Sequence, residues 1–310
     1  MTTLLLHHEA ACIAHATPAG HPERPDRIRA VATALGAERF AALRRELAPE
    51  ATLEEVALAH PLAWVEAIAK ANPASGLVQV DSDTIMSPGT LEAILRGAGA
   101  AVAATDAVMT GAAANAFCAM RPPGHHAERT RAMGFCFFNN AAIAARHAQT
   151  RHGAERVAIM DFDVHHGNGT QDIFWSDPTV LYASTHQMPL YPGTGAVSER
   201  GDHDTIVNAP LRPGQGGVEF REAMTAKILP RIEAFGPDLV VISAGFDAHK
   251  SDPLGSLRFE ADDFAWATRE LMAIAARHAG GRVVSVLEGG YDLRGLAESC
   301  AAHVAALMEG

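Results

Sequence analysis

The chain has 310 residues, 48% of them hydrophobic and 20% charged, a balance that fits a folded soluble protein and excludes a disordered one. A formal net charge of −11 argues against a nucleic-acid binder that relies on phosphate contacts, while remaining compatible with a cationic substrate. The four cysteines (Cys12, Cys118, Cys136 and Cys300) form no CxxC pair, so they predict buried thiols rather than a disulfide framework or a thiolate zinc site.

The opening MTTLLLHHEA lacks a basic leader and a long apolar core, so no signal peptide is expected. Thr3–His7 reads as a first strand. The Pro-rich turn Gly20–Arg27 leads into a helix from about Pro25 to Leu35, and a second short helix is predicted over Ala63–Lys70. An irregular loop follows at Ala71–Gly76. Ser87 and Pro88 look like an N-cap and first helical residue for a helix closed by Gly111. The Ala- and Gly-rich stretch Gly97–Met120 is too weakly hydrophobic to span a bilayer, and a cytoplasmic protein is the default. From Asn115 onward strands and helices alternate. Strands are predicted at Ala116–Met120, Val157–Val164, Thr179–Ser184, Asp238–Ser243 and Arg282–Leu287, with helices at Asn140–His152, Gly217–Phe235, Glu260–His278 and Leu293–Met308. This is the signature of an α/β protein with a mostly parallel sheet covered on both faces, read as one domain over residues 1–310.

Binding sites in such sheets form beyond the carboxyl ends of the strands. Five strand ends here are followed by metal-capable or proton-active groups: His125 and His126, then His165, then Thr185 and His186, then Asp247, then Tyr291. Asp161, Asp163 and His165 fall at every second position, so in an extended strand two carboxylates and an imidazole converge on one face. Carboxylates beside an apolar strand are costly unless a cation lies between them. Asp163, His165 and Asp247 would supply one nitrogen and two oxygen ligands and leave positions open for water and substrate, as in a catalytic zinc site; such ligands also suit Fe2+. Two carboxylates weaken the acidifying effect of the ion on water, so a general base is needed, and His125 and His126 are the candidates. Tyr291 is a candidate donor to an oxyanion, and Gly289 and Gly290 let the backbone bend close to the metal.

Together, RPPGHH, GFCFFNN, DFDVHHGNGTQ, SAGFDAH and LEGGYDL resemble the zinc-dependent histone deacetylase superfamily with its arginase-like α/β fold, over nearly the whole chain from HPERPDR to the last helix. The closer likeness is to the class II branch and its bacterial relatives, which include acetylpolyamine amidohydrolases. By position, the resemblance implies zinc on Asp163, His165 and Asp247, His126 as general base, and His125 as a supporting histidine oriented by Asp161. Asn168 falls where class I members carry an aspartate, and Tyr291 would polarise the amide carbonyl. The resemblance further implies a structural K+ held by Asp161, Asp163, His165, Ser184 and Thr185, and a second by carbonyls of Phe174, Asp177 and Val180. The substrate would meet Pro123, Gly134, Phe135, Tyr191, Leu254 and Gly289. Leu254 stands where polyamine-selective relatives carry an acidic gatekeeper, which favours acyl-lysine or a small neutral acylamine. Ser75 is a further rim candidate. Arg27 either lines an internal channel or makes a buried ion pair. A chain of this length leaves little room for rim insertions, so an open or homo-oligomer-shaped entrance is expected. The activity implied is removal of acetyl or short acyl groups from amine nitrogens. Alternatives are an acetylpolyamine amidohydrolase, a two-manganese ureohydrolase lacking its extra aspartate ligands here, and a non-catalytic acylamine-binding protein.

Overall fold

The strands predicted around Val157, Leu239 and Val283 are buried along their whole length in the computed structural model, which describes residues 2–310. Continuous burial, without alternation, is what a parallel sheet covered on both faces requires. The strands are β1 (Thr3–His7), β2 (Arg44–Leu47), β3 (Val78–Gln79), β4 (Ile85–Met86), β5 (Asn115–Ala119), β6 (Val157–Asp161), β7 (Val180–Gln187), β8 (Ile206–Leu211), β9 (Leu239–Ala244) and β10 (Val283–Leu287). Eight of them form one sheet in the order β2-β1-β5-β10-β9-β6-β7-β8, with every neighbouring pair parallel. The antiparallel pair β3–β4 makes a separate hairpin.

The helices are α1 (Glu9–Ala14), α2 (Asp26–Leu35), α3 (Leu53–Val56), α4 (Leu62–Ala71), α5 (Thr90–Met109), α6 (Asn140–His152), α7 (Asn168–Phe174), α8 (Gly217–Ala223), α9 (Leu229–Phe235), α10 (Ala261–His278) and α11 (Leu293–Met308). A π-helical turn at Met224–Ile228 joins α8 to α9, so the predicted Gly217–Phe235 helix is continuous but bulged. In one layer α5 packs on α6; in another α11 packs on α10 and α2. Small residues set the α5 spacing: a β-carbon at Gly99 would lie 2.1 Å from the Pro49 carbonyl oxygen. No described helix is long and apolar enough to cross a membrane. All four cysteines are buried and free.

Three boundaries differ from expectation by more than one residue. The long helix begins at Thr90 with Gly89 as N-cap, because the Ser87 hydroxyl accepts the Ala16 N–H instead of capping. Strand β7 runs on to Gln187, which places Thr185 and His186 inside it rather than beyond its end. Strand β6 stops at Asp161, short of the predicted Val164. There Asp161 Oδ1 accepts the Asp163 N–H at 3.1 Å, and Asp163 Oδ1 accepts the His165 N–H at 2.9 Å. Two successive side-chain-to-backbone turns thus replace the extended strand.

Candidate active site

The four central strands β5, β10, β9 and β6 each deliver functional groups at their carboxyl ends, the position that open α/β sheets reserve for ligands. Asp163, His165 and Asp247 each place a ligand atom within 4.8 Å of the others, and all three are buried. His165 Nδ1 lies 3.1 Å from Asp163 Oδ1 and 3.2 Å from Asp247 Oδ2. The remaining carboxylate oxygens are held by backbone donors: Val164 N–H to Asp247 Oδ1 at 2.8 Å, and Gly289 N–H to Asp163 Oδ2 at 2.9 Å.

Glycine makes this convergence feasible. A β-carbon at Gly289 would stand 2.1 Å from Asp247 Oδ2, and one at Gly245 would stand 2.0 Å from Asp163 Oδ2. Asp161, Asp163, Asp247 and Glu288 are all buried, yet none forms an ion pair with a lysine or arginine among the described residues. Buried carboxylates of this kind call for a cation. One imidazole and two carboxylates fit a divalent ion with open positions. The same charge surplus acts on the imidazole: burial opposes protonation of His165, but Asp163 and Asp247 outweigh it and lift its pKa to about 10.

The adjacent histidines separate electrostatically. His125 Nδ1 donates to Asp161 Oδ2 at 2.9 Å; burial disfavours its charge, but Asp161 and Asp163 outweigh that and hold its pKa well above the usual range. His126 Nδ1 instead faces the neutral Asn168 Oδ1 at 2.8 Å, and burial together with the His125 and His165 charges holds its pKa well below the usual range. Asn168 is itself oriented by donating to Glu128 Oε1 at 2.7 Å. Opposite partners therefore leave one ring cationic and the other a free base.

Tyr291 lies in the loop after β10. Arg27 stacks over its ring at 4.9 Å, and burial, only partly offset by Arg27, keeps the phenol protonated. Arg27 also donates to the Gly290 carbonyl at 2.6 Å and to Glu23 Oε1 at 3.0 Å, so it is a buried ion pair that braces the tyrosine loop. Asp252 accepts the Tyr291 N–H at 2.7 Å, the Asp292 N–H at 3.0 Å and the Leu254 N–H at 3.0 Å.

A cavity of about 230 Å³ opens above these groups, lined by His126, His165 and Tyr291 at its floor and by Gly134, Phe135, Tyr191 and Leu254 on its walls, with Asp83 and Leu190. The Tyr191 ring meets His126 edge-on at 5.2 Å. Gly134 and Phe135 both take positive φ (56° and 68°), a rare conformation for phenylalanine. It is held because Asp83 Oδ1 accepts the Gly134 N–H and Thr84 Oγ1 accepts the Phe135 N–H, each at 3.0 Å. A larger groove of about 720 Å³ between α5 and α10 contains none of these groups.

Several expected residues lie elsewhere. Pro123 is buried and Gly289 sits behind the carboxylates, so neither lines the cavity. Ser75 is exposed, and the hairpin residue Asp83 occupies the rim in its place. For the first K+ site, Asp161 and Ser184 are register partners on β6 and β7, and the Thr185 hydroxyl is buried without a partner among the described residues. For the second, Phe174 ends α7, Val180 starts β7, and the Phe174 carbonyl accepts the Asp177 N–H at 3.1 Å. Sequence reasoning missed Asp83, Asp252 and Glu288. Glu288 accepts the Gly124 and His125 N–H groups and so fixes the turn carrying both histidines; burial lifts it to about 7 despite the His125 charge. An acidic residue directly following an apolar strand was the available signal for Glu288.

Residues 21–307 match the histone deacetylase domain family. The histone deacetylase-like amidohydrolase of Pseudomonas aeruginosa is 42% identical over 279 residues, covering 88% of this chain and 73% of that protein. A probable deacetylase of Archaeoglobus fulgidus is 38% identical over 316 residues, covering all of this chain and 87% of the relative. The crystal structure of the HDA15 HD domain superimposes with a TM-score of 0.94 at 37% identity, covering 99% of this chain and 88% of that one.

Proposed function

The chain belongs to the histone deacetylase family, and on that premise we propose that it is a zinc-dependent amidohydrolase, built as one domain, that removes acetyl or short acyl groups from amine nitrogens. The observation that carries this reading is the meeting of Asp163, His165 and Asp247, of which His165 reaches the lining of a cavity that His126 and Tyr291 also line. When bound, the divalent ion would polarise the amide carbonyl and acidify a water molecule.

The protein's own groups do the rest. His126, with Nδ1–H donated to neutral Asn168, presents a bare Nε2 to take the proton of the attacking water and return it to the leaving amine. His125, kept cationic by Asp161, stabilises developing negative charge without accepting that proton. The Tyr291 hydroxyl, protonated and braced by Arg27, donates to the oxyanion. Phe135 and Tyr191 clasp an unbranched aliphatic stem. Leu254 puts no acidic gatekeeper at its own position, which favours acyl-lysine or a neutral acylamine over an acetylpolyamine, and Asp83 is the one carboxylate on the lining among the described residues. K+ at the Asp161–Ser184 pair would offset the buried carboxylate of Asp161.

The deciding experiment is a hydrolysis panel of acetyl-lysine peptides, acetylated polyamines and small acetamides on protein of known metal content. Turnover of the peptides or neutral acetamides, lost on chelation and restored by Zn2+, is expected. Turnover confined to polyamines would reverse the substrate assignment, and turnover of none would overturn the activity.

A further inference from the structure

We propose that Asp106, His147 and His152 form a second site, accessible from solvent, for a borderline divalent cation of the Zn2+ type. The site is independent of the catalytic reading. Helices that follow parallel strands run back against them, so the ends of α5 and α6 lie at the opposite end of the sheet from the cavity. Asp106 stands in the last turn of α5, and His147 and His152 in the second half of α6.

Asp106 Oδ1 lies 2.7 Å from the Nε2 atoms of both His147 and His152, and one ligand atom from each of the three side chains falls within 4.8 Å of the others. Apart from the catalytic trio, no other described residues form such a group. Two imidazoles and a carboxylate suit Zn2+ and its neighbours, whereas Mg2+ and Ca2+ demand oxygen ligands throughout. The His147 side chain is 5% exposed and preorganised by packing, while His152 at 18% and Asp106 at 52% leave one side open for water ligands.

A plain hydrogen-bonded cluster, with one oxygen accepting two ring N–H groups, is the simpler account of the same contacts. Two features point past it. Both rings aim the same nitrogen at one oxygen rather than dividing between the two. His147 Nδ1 is buried and has no partner among the described residues, so only the Asp106 carboxylate holds the proton on Nε2, and a cation that displaces that contact can displace the proton. The proton can reside on Nδ1 and leave Nε2 as a ligand. Tetrahedral coordination at zinc bond lengths separates ligand atoms by about 3.3 Å. The carboxylate must therefore back away by roughly 0.6 Å from its 2.7 Å contacts, which a half-exposed aspartate can do. Because His147 lacks an outer partner, binding should be about 10- to 100-fold weaker than at a site with both rings held from behind.

Tag-free protein equilibrated with micromolar Zn2+ and then freed of unbound metal gives the test by metal analysis. Wild-type protein is expected to hold one more zinc per chain than Asp106→Asn or His152→Ala, while all three hydrolyse an acetyl-lysine peptide at the same rate. Circular dichroism spectra that match wild type show that the variants are folded, whatever the outcome of the hydrolysis assay. The proposal is overturned if wild type and both variants hold the same number of zinc ions. The count is a difference, so it reads the same whether or not the catalytic trio is loaded.

Discussion

Replacing Gly289 by alanine strikes the convergence of the two acidic side chains directly. The added carbon would stand 2.1 Å from Asp247 Oδ2 and 2.6 Å from Asp163 Oδ2. Unstrained contact needs about 3.5 Å, so one or both carboxylates must retreat by roughly 1 Å or more. Neither can do so freely: both are buried, Asp247 is tied to the Val164 N–H, and Asp163 is tied to the N–H of Gly289 itself. Overpacking of this kind costs about 1–3 kcal/mol of stability. Displacement of reacting groups by about 1 Å costs on the order of a hundredfold in rate. Gly289→Ala should therefore fold, with a lowered Tm, yet lose most of its metal on desalting and at least about a hundredfold in kcat/KM on an acetyl-lysine peptide. Metal content, calorimetry and steady-state kinetics on one preparation decide it. Full metal occupancy with near-normal kcat would show that the loop has room to spare and that the packing argument is wrong.

Tyr291→Phe should lower kcat by about a hundredfold or more with little change in metal content, as loss of an oxyanion donor does; normal turnover would remove the phenol from the chemistry. His126→Ala should abolish hydrolysis while metal analysis still finds the catalytic ion, and loss of that ion would recast His126 as a ligand. Asp252→Ala orphans three N–H groups, including that of Tyr291. It should cost about 3 kcal/mol in denaturant unfolding and depress kcat more than it raises KM; an unchanged kcat would deny Asp252 a part in aligning the tyrosine. Acid should weaken the fold through buried histidines. Burial depresses His60 to about 4 and His303 to about 3. Between those values and the unfolded value near 6.5 the unfolded chain binds more protons, so stability falls as pH drops through that window. Each should cost about 2 kcal/mol at pH 5 relative to pH 8. Because His165 and Glu288 titrate in the opposite sense, the check is a double difference. His303→Gln should lose about 2 kcal/mol less than wild type between pH 8 and pH 5, and an identical pH dependence would contradict it.

Much of this was legible in the sequence because the central strands are apolar runs and the chemistry follows them directly. The convergence of Asp163 and His165 was expected for the wrong local reason: aspartate side chains bend the chain after β6, and no extended strand carries it. Strand β8 escaped notice because IVNAPL contains a proline, which is tolerated there at the sheet edge. Strand β2, RREL, is the opposite edge, and its charges hide the strand pattern. Helix α7 opens on Asn168-Gly169, a pair that reads as a turn. The hairpin bearing Asp83 is held by contacts with residues some fifty positions away, which no local pattern announces.

The four strands that carry the site are all interior to the sheet, flanked by β2 and β1 on one side and β7 and β8 on the other. Amide hydrogens in such positions exchange only through the largest cooperative openings, whereas the short hairpin at the cavity mouth can open alone. The floor of the cavity and its mouth are thus expected to fall in separate units of fluctuation. Substitutions in the hairpin that spare Asp83 and Thr84, which hold the Gly134–Phe135 wall, are expected to alter the entrance while the groups beneath stay in register.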